Sequence, residues 1–323
     1  MKPARKVVSD SLGVQPGEEL LVVYDTRVSG RISESIVSYA RSIDVEVVSM
    51  LFPAREYIPD KPWMRQEPPK VVAEAMKRAD AVFVHTTTSM SYAAARKTAT
   101  AEGVRILSAP RLTEEEIIRT TNVDLEELSS ISKKVADVQK NAKRIKITTP
   151  GGTDVSWEQK GAAPMIVDGV CRTKGSFSQL PSGASACVPQ EGSAEGVVVI
   201  DGMLHNLDFP LSEPIRLTIK EGRITKIEGG KEAAQFRKKV AEANDANAFT
   251  CPAEWAVGTN AAANLTPQIE GERCYGLINT GIGGNTHIPG GNVQSRFHLD
   301  GVMLSPKLEV DGRVILENRT FSL

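Results

Sequence analysis

The chain has 323 residues, more than one hydrophobic core usually organises, so two domains are expected. Hydrophobic residues make up 41% and charged residues 24%, which excludes an intrinsically disordered chain. The formal net charge of -1 offers no basic surface to a polyanion, so no nucleic-acid partner is expected. No apolar stretch reaches the length of a membrane span and the amino terminus lacks a signal-peptide core, so we expect a cytoplasmic protein without membrane contact.

The first part of the chain alternates between strand-like and helix-like periodicity. Its continuous apolar runs are typical of parallel strands that helices cover on both faces. This pattern predicts an α/β, Rossmann-like domain with a parallel sheet. Neither a G-x-G-x-x-G nor a G-x-x-x-x-G-K-[ST] loop occurs, so no nucleotide is assigned to it. Strands are predicted at 16–25, 45–52, 81–88 and 104–110, and helices at 30–44, 68–80 and 91–103.

A long helical stretch from Thr113 to Ala142 precedes a change of composition. We place a domain boundary there, with an α/β domain at 1–145 and a strand-rich α+β metal-binding domain at 146–323. Turns marked by glycine pairs and Asp-Gly predict hairpins in this second domain, with one helix among them. The hairpins are predicted at 196–204, 215–230 and 308–318, and the helix at 231–245.

The segment FHLDGVML contains the sharpest local signal for chemistry. His298 and Asp300 are separated by one residue, and residues i and i+2 of a strand point to the same face. An imidazole and a carboxylate would therefore converge on one point, as metal binding requires. We predict His298 and Asp300 as metal ligands.

The glycine-rich segment GIGGNTHIPGGN precedes that strand. Closely spaced glycines let the backbone approach a ligand, which fits a loop at the edge of a pocket. His287 lies in this loop and is interpreted either as a third metal ligand or as a catalytic acid/base facing the substrate. Asn285 and Thr286 are candidates for hydrogen bonds to the substrate.

Glu254 stands in the otherwise apolar segment CPAEWAVGTN. A buried carboxylate is costly unless a cation meets it, so Glu254 is predicted as a third metal ligand or, alternatively, as a general base. Its neighbour Trp255 is predicted to form an apolar wall for a substrate.

The two remaining histidines receive different interpretations. His85 ends an apolar strand of the first domain, and α/β domains place ligands at the carboxyl ends of their strands, so it is a substrate-binding candidate. His205 lies in the turn-like segment GMLHN and is predicted to be a surface turn residue.

Four segments together resemble the aminopeptidase T-like superfamily: LPSGASACVPQEGSAEGVVVIDG, AEWAVGTN, GGNTHIPGGN and FHLDGVML. This superfamily includes dinuclear metal aminopeptidases and the 2,5-dihydroxypyridine 5,6-dioxygenases, which use one non-haem iron. The resemblance covers roughly residues 151–323 well, and the first domain only in its α/β character. It also implies a homo-oligomer.

Two positions distinguish the branches of that superfamily. The peptidases continue the PSG motif with a metal-binding glutamate, where this chain has Ala184, and the histidine of the following glycine-rich strand aligns with Asn279. A two-metal mechanism needs ligands for both ions, so one metal is expected. The dioxygenases lack the same two ligands and keep the H-L-D pair, although their third ligand is a histidine where this chain has Glu254.

The resulting hypothesis is an Fe(II) ring-cleaving dioxygenase for a hydroxylated N-heteroaromatic or similar small molecule. Three protein ligands leave three positions for a bidentate substrate and O₂, with His287 as the base. The alternative is a metal-dependent hydrolase, aminopeptidase- or amidohydrolase-like, in which Zn, Mn or Co activates water. A third possibility is a chain that has lost catalysis and binds ligands only.

Overall fold

The computed structural model describes residues 2–55, 67–159, 161 and 163–323 of the chain. Within these residues, no helix combines the length and apolar character that a membrane span needs. The α-helices are α1 (Lys2–Arg5), α2 (Gly30–Arg41), α3 (Lys70–Met76), α4 (Ala94–Ala101), α5 (Glu114–Thr120), α6 (Leu125–Asn141) and α7 (Lys231–Glu242). The strands are β1 (Glu19–Asp25), β2 (Glu46–Phe52), β3 (Ala81–His85), β4 (Arg105–Ser108), β5 (Arg144–Thr148), β6 (Asp154–Glu158), β7 (Met165–Val167), β8 (Phe177–Gln179), β9 (Ala184–Cys187), β10 (Glu195–Ile200), β11 (Met203–Leu204), β12 (Ile215–Lys220), β13 (Arg223–Glu228), β14 (Glu254–Gly258), β15 (Ile278–Gly283), β16 (His298–Met303), β17 (Lys307–Val310), β18 (Arg313–Glu317) and β19 (Thr320–Phe321).

The chain divides into two compact units. Unit 1 contains Met1–Ser129 and Val167–Ser182, and unit 2 contains Ser130–Ile166 and Gly183–Leu323. These bounds differ from the predicted ranges in two segments. β8 joins the sheet of unit 1 by pairing in parallel with β4, and the carboxyl-terminal part of α6 belongs to unit 2. There Ser132 and Gln139 hydrogen-bond Thr259 and Ser185.

Unit 1 has a parallel sheet with the strand order β2-β1-β3-β4-β8. The predicted α/β fold class is confirmed, because the apolar runs form buried strands and the intervening segments form helices. α2 is amphipathic and buries Ile32, Ile36 and Ala40. The chain places β2 and β3 on opposite sides of β1, so the carboxyl ends of β1 and β3 form a topological switch point.

Unit 2 has an eight-stranded sheet of order β13-β12-β10-β6-β5-β17-β18-β19 and a six-stranded sheet of order β11-β16-β15-β14-β9-β7. The two sheets and α7 share one hydrophobic core. Trp157 on β6 and Trp255 on β14 meet edge to face in it, with ring centroids 5.6 Å apart. The expected strand-rich architecture is therefore confirmed.

Two of the three predicted hairpins form. β12 pairs with β13, and β17 pairs with β18, both antiparallel. The prediction at 196–204 is wrong, because β10 and β11 belong to different sheets. After β10 the chain leaves its sheet at Asp201, whose Oδ1 accepts from the Leu304 N–H at 2.7 Å, and Gly202 donates to the Val302 carbonyl at 3.0 Å.

Candidate metal centre

The candidate centre lies on one face of the six-stranded sheet of unit 2. Side chains alternate between faces along a strand, so β14, β15 and β16 each present one row to the core and one row to the opposite face. Glu254 of β14 pairs with Gly281 of β15, and Gly281 pairs in turn with Asp300 of β16. His298 lies two residues before Asp300, so the three polar side chains lie on the same face of the sheet, on the two strands that flank β15.

Gly281 leaves the space in which these side chains meet. Its strand backbone carries no side chain between Glu254 and Asp300. A Cβ atom added there would collide with Cγ of Glu254 and would lie 3.1 Å from Cε1 of His298. The sequence predicted that glycines in this segment would let the backbone approach a ligand. At Gly281 the missing side chain instead lets the side chains of Glu254 and His298 lie close to the backbone.

The His298 and Asp300 side chains converge as their i, i+2 spacing predicts. Nε2 of His298 lies 3.1 Å from Oδ2 of Asp300. Nδ1 of His298 lies 2.7 Å from the Gly284 carbonyl oxygen, which can only accept, so Nδ1 carries a proton and donates. This hydrogen bond fixes the ring and directs Nε2 toward Asp300, as outer-shell partners do for metal-binding histidines.

Glu254 and His287 form a second close pair beside His298. Oε2 of Glu254 lies 2.7 Å from Nε2 of His287. This close contact sets the imidazole of His287 against a buried carboxylate oxygen, and it helps to lower the pKa of Glu254. The rings of His287 and His298 meet edge to face at 4.6 Å, and donor atoms of Glu254, His287 and His298 all lie within 4.8 Å of one another.

A third group of residues adjoins Asp300, and sequence reasoning missed it. Donor atoms of His205, Glu272 and Asp300 lie within 4.8 Å of one another. His205 lies in a turn, as predicted, but the prediction that it is a surface residue is wrong, because only 13% of its side chain is exposed. Its pairing with a strand distant in sequence gave no local signal. Glu272, in the segment GERC, has the charged surroundings of an ordinary surface residue.

Burial and charge oppose each other in the pKa values of this cluster. Burial lowers the pKa of His298, but the charge of Asp300 and its contact with the ring outweigh it and raise the pKa to about 10. Burial raises the pKa of Asp300, yet His298 reverses the effect and the pKa is lowered. Burial is the largest influence on Glu254 and raises its pKa, but the His287 contact and the charge of His298 together leave the pKa lowered. Burial is also the largest influence on His205 and lowers its pKa, but Glu272 and Asp300 together leave it raised.

The glycine-rich loop places its two predicted substrate residues differently. Asn285 is buried, donates from Nδ2 to the Ala253 carbonyl at 2.7 Å and accepts from the Val293 N–H at 2.9 Å. Its amide thus braces the loop against the residue before Glu254. Thr286 is exposed beside His287.

Trp255 and His85 lie away from this cluster. Trp255 follows Glu254 on β14 and therefore points to the opposite face, into the core, where it is fully buried and lies near Gln159. Trp255 therefore packs in the core and does not face the cluster, where we predicted it to form a wall for the substrate. His85 belongs to unit 1, is fully buried and lies with Nε2 2.9 Å from the Leu112 carbonyl. Burial lowers the pKa of His85.

The donor set suits a divalent metal ion. Two ligand atoms about 2.1 Å from one ion lie roughly 3 Å apart, which is the scale of the Glu254–His287 and His298–Asp300 contacts. Imidazole nitrogens with carboxylate oxygens are ligands for iron, zinc and manganese. A buried carboxylate set against imidazoles and a space kept open by Gly281 both fit an ion at this place.

A family model described as NicX: 2,5-dihydroxypyridine 5,6-dioxygenase matches residues 5–322. The chain belongs to this family. Membership confirms the predicted dioxygenase branch, and it identifies the chain as an enzyme of the ring-cleaving dioxygenase class. It also extends the resemblance from residues 151–323 to nearly the whole chain.

Two solved structures share the fold. The 2,5-dihydroxypyridine dioxygenase from Pseudomonas putida KT2440 is 20% identical with a TM-score of 0.83, covering 99% of this chain and 96% of that chain. Wild-type AmpT from Thermus thermophilus is 16% identical with a TM-score of 0.70, covering 100% of this chain and 98% of that chain. Among curated proteins no significant match is found.

The two positions at which the chain departs from the peptidase pattern now have places in the fold. Ala184 is buried on β9, where it pairs with Gly258 of β14. Asn279 lies two residues before Gly281 on the same face of β15, and its Nδ2 donates to Oδ1 of Asp300 at 3.3 Å. At this position an amide therefore supports a carboxylate.

Proposed function

We propose that this enzyme opens the ring of a hydroxylated pyridine or a similar aromatic small molecule, using one Fe(II) ion held by His298, Asp300 and Glu254. The observation that carries the proposal is that Glu254 and Asp300, on the two strands that flank Gly281, both approach the His298 ring. Oδ2 of Asp300 lies 3.1 Å from Nε2 of His298, and an oxygen of Glu254 lies within 4.8 Å of a nitrogen of the same ring. When bound, the ion would supply open coordination positions for a bidentate hydroxylated ring and O₂.

The surrounding residues orient the ligands. Gly284 fixes the proton on Nδ1 of His298, so that Nε2 presents its lone pair to the ion. Asn279 holds one oxygen of Asp300 and leaves the other beside His298. An ion bound there would displace the proton between His298 and Asp300 and would replace the contact of Glu254 with His287.

His287 is positioned to act as the base. Its side chain is 13% exposed, so one edge of the ring remains accessible, while Nε2 lies 2.7 Å from Glu254. A carboxylate at that distance orients the ring, which can then take a proton from a substrate hydroxyl. Thr286, exposed on the same loop, is the hydrogen-bonding candidate that fits this role best.

A second ligand set uses the same cluster. Glu254, His287 and His298 have the composition of two imidazoles and one carboxylate that non-haem Fe(II) oxygenases favour. His287→Gln distinguishes the two sets. If His287 is a base, the variant retains the metal and its turnover falls by about 10²- to 10⁴-fold. If His287 is a ligand, the variant loses the metal.

The activity itself is tested by anaerobic purification, metal analysis and measurement of O₂ uptake with hydroxypyridines. Fe(II)-dependent O₂ consumption is the expected result. Release of amine from aminoacyl-anilides with Zn²⁺, Mn²⁺ or Co²⁺ and without O₂ demand would contradict it and would favour the hydrolase, which three carboxylates near the site also suit.

We also propose that the enzyme is a homo-oligomer in the cytoplasm, as the resemblance implies. Light scattering on the purified chain tests the first part. A mass equal to the 34.9 kDa of one chain would contradict it.

A further inference from the structure

We propose that His205 is a positioning residue, held by Glu272, that fixes the carboxylate of Asp300 for metal binding. The proposal rests on the metal centre proposed above. It assigns a role to two residues that neither the sequence motifs nor the predicted ligand set includes.

His205 is hydrogen-bonded to Asp300 through its backbone, and its ring lies within ion-pair distance of the same residue. β11 pairs antiparallel with β16, with Leu204 opposite Gly301, and this register brings the next residue against Asp300. The backbone N–H of His205 donates to the Asp300 carbonyl at 3.0 Å. Its ring Nδ1 lies 3.6 Å from Oδ2 of Asp300, the same oxygen that faces His298.

Glu272 holds the other edge of the His205 ring. Oε1 of Glu272 lies 2.9 Å from Nε2 of His205, and Oε2 lies 2.9 Å from Nη1 of Arg273. Both Glu272 and Arg273 are buried. They lie on a short 3-10 helix that begins at Gly271, where an added Cβ would collide with the Thr266 carbonyl oxygen. Gly271 therefore allows the close backbone packing that places Glu272 in the interior.

The directions of these contacts favour positioning over a second metal ion. A neutral imidazole offers an ion one in-plane lone pair, from one nitrogen. Glu272 faces Nε2, whereas Asp300 faces Nδ1, so the two carboxylates lie at different edges of the ring. The arrangement matches that of a histidine bridging two carboxylates.

Both oxygens of Asp300 thus have a polar neighbour outside the proposed ligand set. Asn279 donates to Oδ1, and His205 lies against Oδ2. Outer-shell contacts of this kind orient a carboxylate ligand, and their removal weakens metal binding by about 10- to 100-fold. The expected consequence of losing His205 is a metal site that is present but poorly formed.

The test uses the full chain, stripped of metal and titrated with Co²⁺ against a chelator. We expect His205→Gln to bind Co²⁺ about 10- to 100-fold more weakly, with altered Co²⁺ absorption bands. Glu272→Gln should change both readouts in the same direction by a smaller factor. Glu309→Gln, which removes a half-buried carboxylate on β17 of the other sheet, is the control and should leave both unchanged.

Four outcomes separate this proposal from the others. Wild-type affinity and spectrum in both His205→Gln and Glu272→Gln would overturn it, as would two Co²⁺ equivalents in the wild type with one in His205→Gln, the mark of a second ion. If His205→Gln does not fold by circular dichroism, Glu272→Gln decides. His298→Ala distinguishes the failures, because metal retention there overturns the proposed centre itself.

Discussion

Asp25 in unit 1 and Glu254 in unit 2 are both buried carboxylates on buried strands, but their oxygens contact different kinds of groups. Asp25 accepts from the Thr87 N–H at 2.6 Å, from the Thr87 hydroxyl at 2.9 Å and from the Arg27 N–H at 3.0 Å. Oε2 of Glu254 instead lies 2.7 Å from Nε2 of His287, a titratable imidazole. Burial alone therefore does not mark a ligand, whereas a carboxylate set among imidazoles does.

The histidines of the two units show the same contrast. Burial lowers the pKa of His85, so this residue is neutral at physiological pH. In unit 2 the carboxylate of Asp300 outweighs burial and raises the pKa of His298 to about 10. The two environments therefore separate a neutral buried histidine in unit 1 from a charged one in the cluster of unit 2.

Among the changes that test this difference between the units, Gly281→Ala is expected to have the largest effect on metal affinity. The new Cβ would collide with Glu254 and displace it, so metal affinity should fall by on the order of 100-fold or more, at least as much as an outer-shell change causes. Chelator competition measures the affinity. Gly30→Ala is the matched control, because a Cβ there meets only a side-chain oxygen of Glu34 at 3.7 Å. Equal affinities in the two variants would contradict the role of Gly281.

Much of this site could be predicted from the sequence, because its central pair is local. The spacing of His298 and Asp300 fixes a common face on any strand, and the apolar surroundings of Glu254 indicate burial. The parallel sheet of unit 1 follows from its apolar runs in the same way.

The remainder depends on pairing between distant segments, which local patterns do not encode. His205 reaches Asp300 only because β11 pairs with β16, nearly a hundred residues later in the chain. The Asp-Gly at 201–202 has the composition of a hairpin turn, but the segment changes sheets there. Trp255 was predicted beside the substrate, although its alternation with Glu254 sends it into the core.

A smaller effect is expected from pH. With a pKa of about 10, His298 holds a proton at neutral pH that an ion must displace. Metal binding should therefore release a proton, and the apparent affinity should fall by about tenfold for each unit of pH below that pKa. Co²⁺ titrations between pH 6.5 and 8.5, with a pH indicator for the released proton, measure both. An affinity independent of pH would contradict the exchange of proton for metal.

The smallest effect on the metal centre is expected from Asp25→Asn. Its amide cannot accept from both Thr87 groups and Arg27 as the carboxylate does, so the free energy of unfolding should fall by about 1–3 kcal/mol. Metal content should not change, because Asp25 is a structural carboxylate. Denaturant unfolding and metal analysis together check this. Loss of metal in Asp25→Asn would contradict the assignment of Asp25 as a structural carboxylate.

The most direct test of the central claim is the metal content of His298→Ala beside the wild type after anaerobic reconstitution with Fe(II) and removal of free ions. The proposed centre predicts about one equivalent in the wild type and almost none in the variant, with both proteins folded. Full metal retention by a folded His298→Ala would contradict it and would place the ion elsewhere.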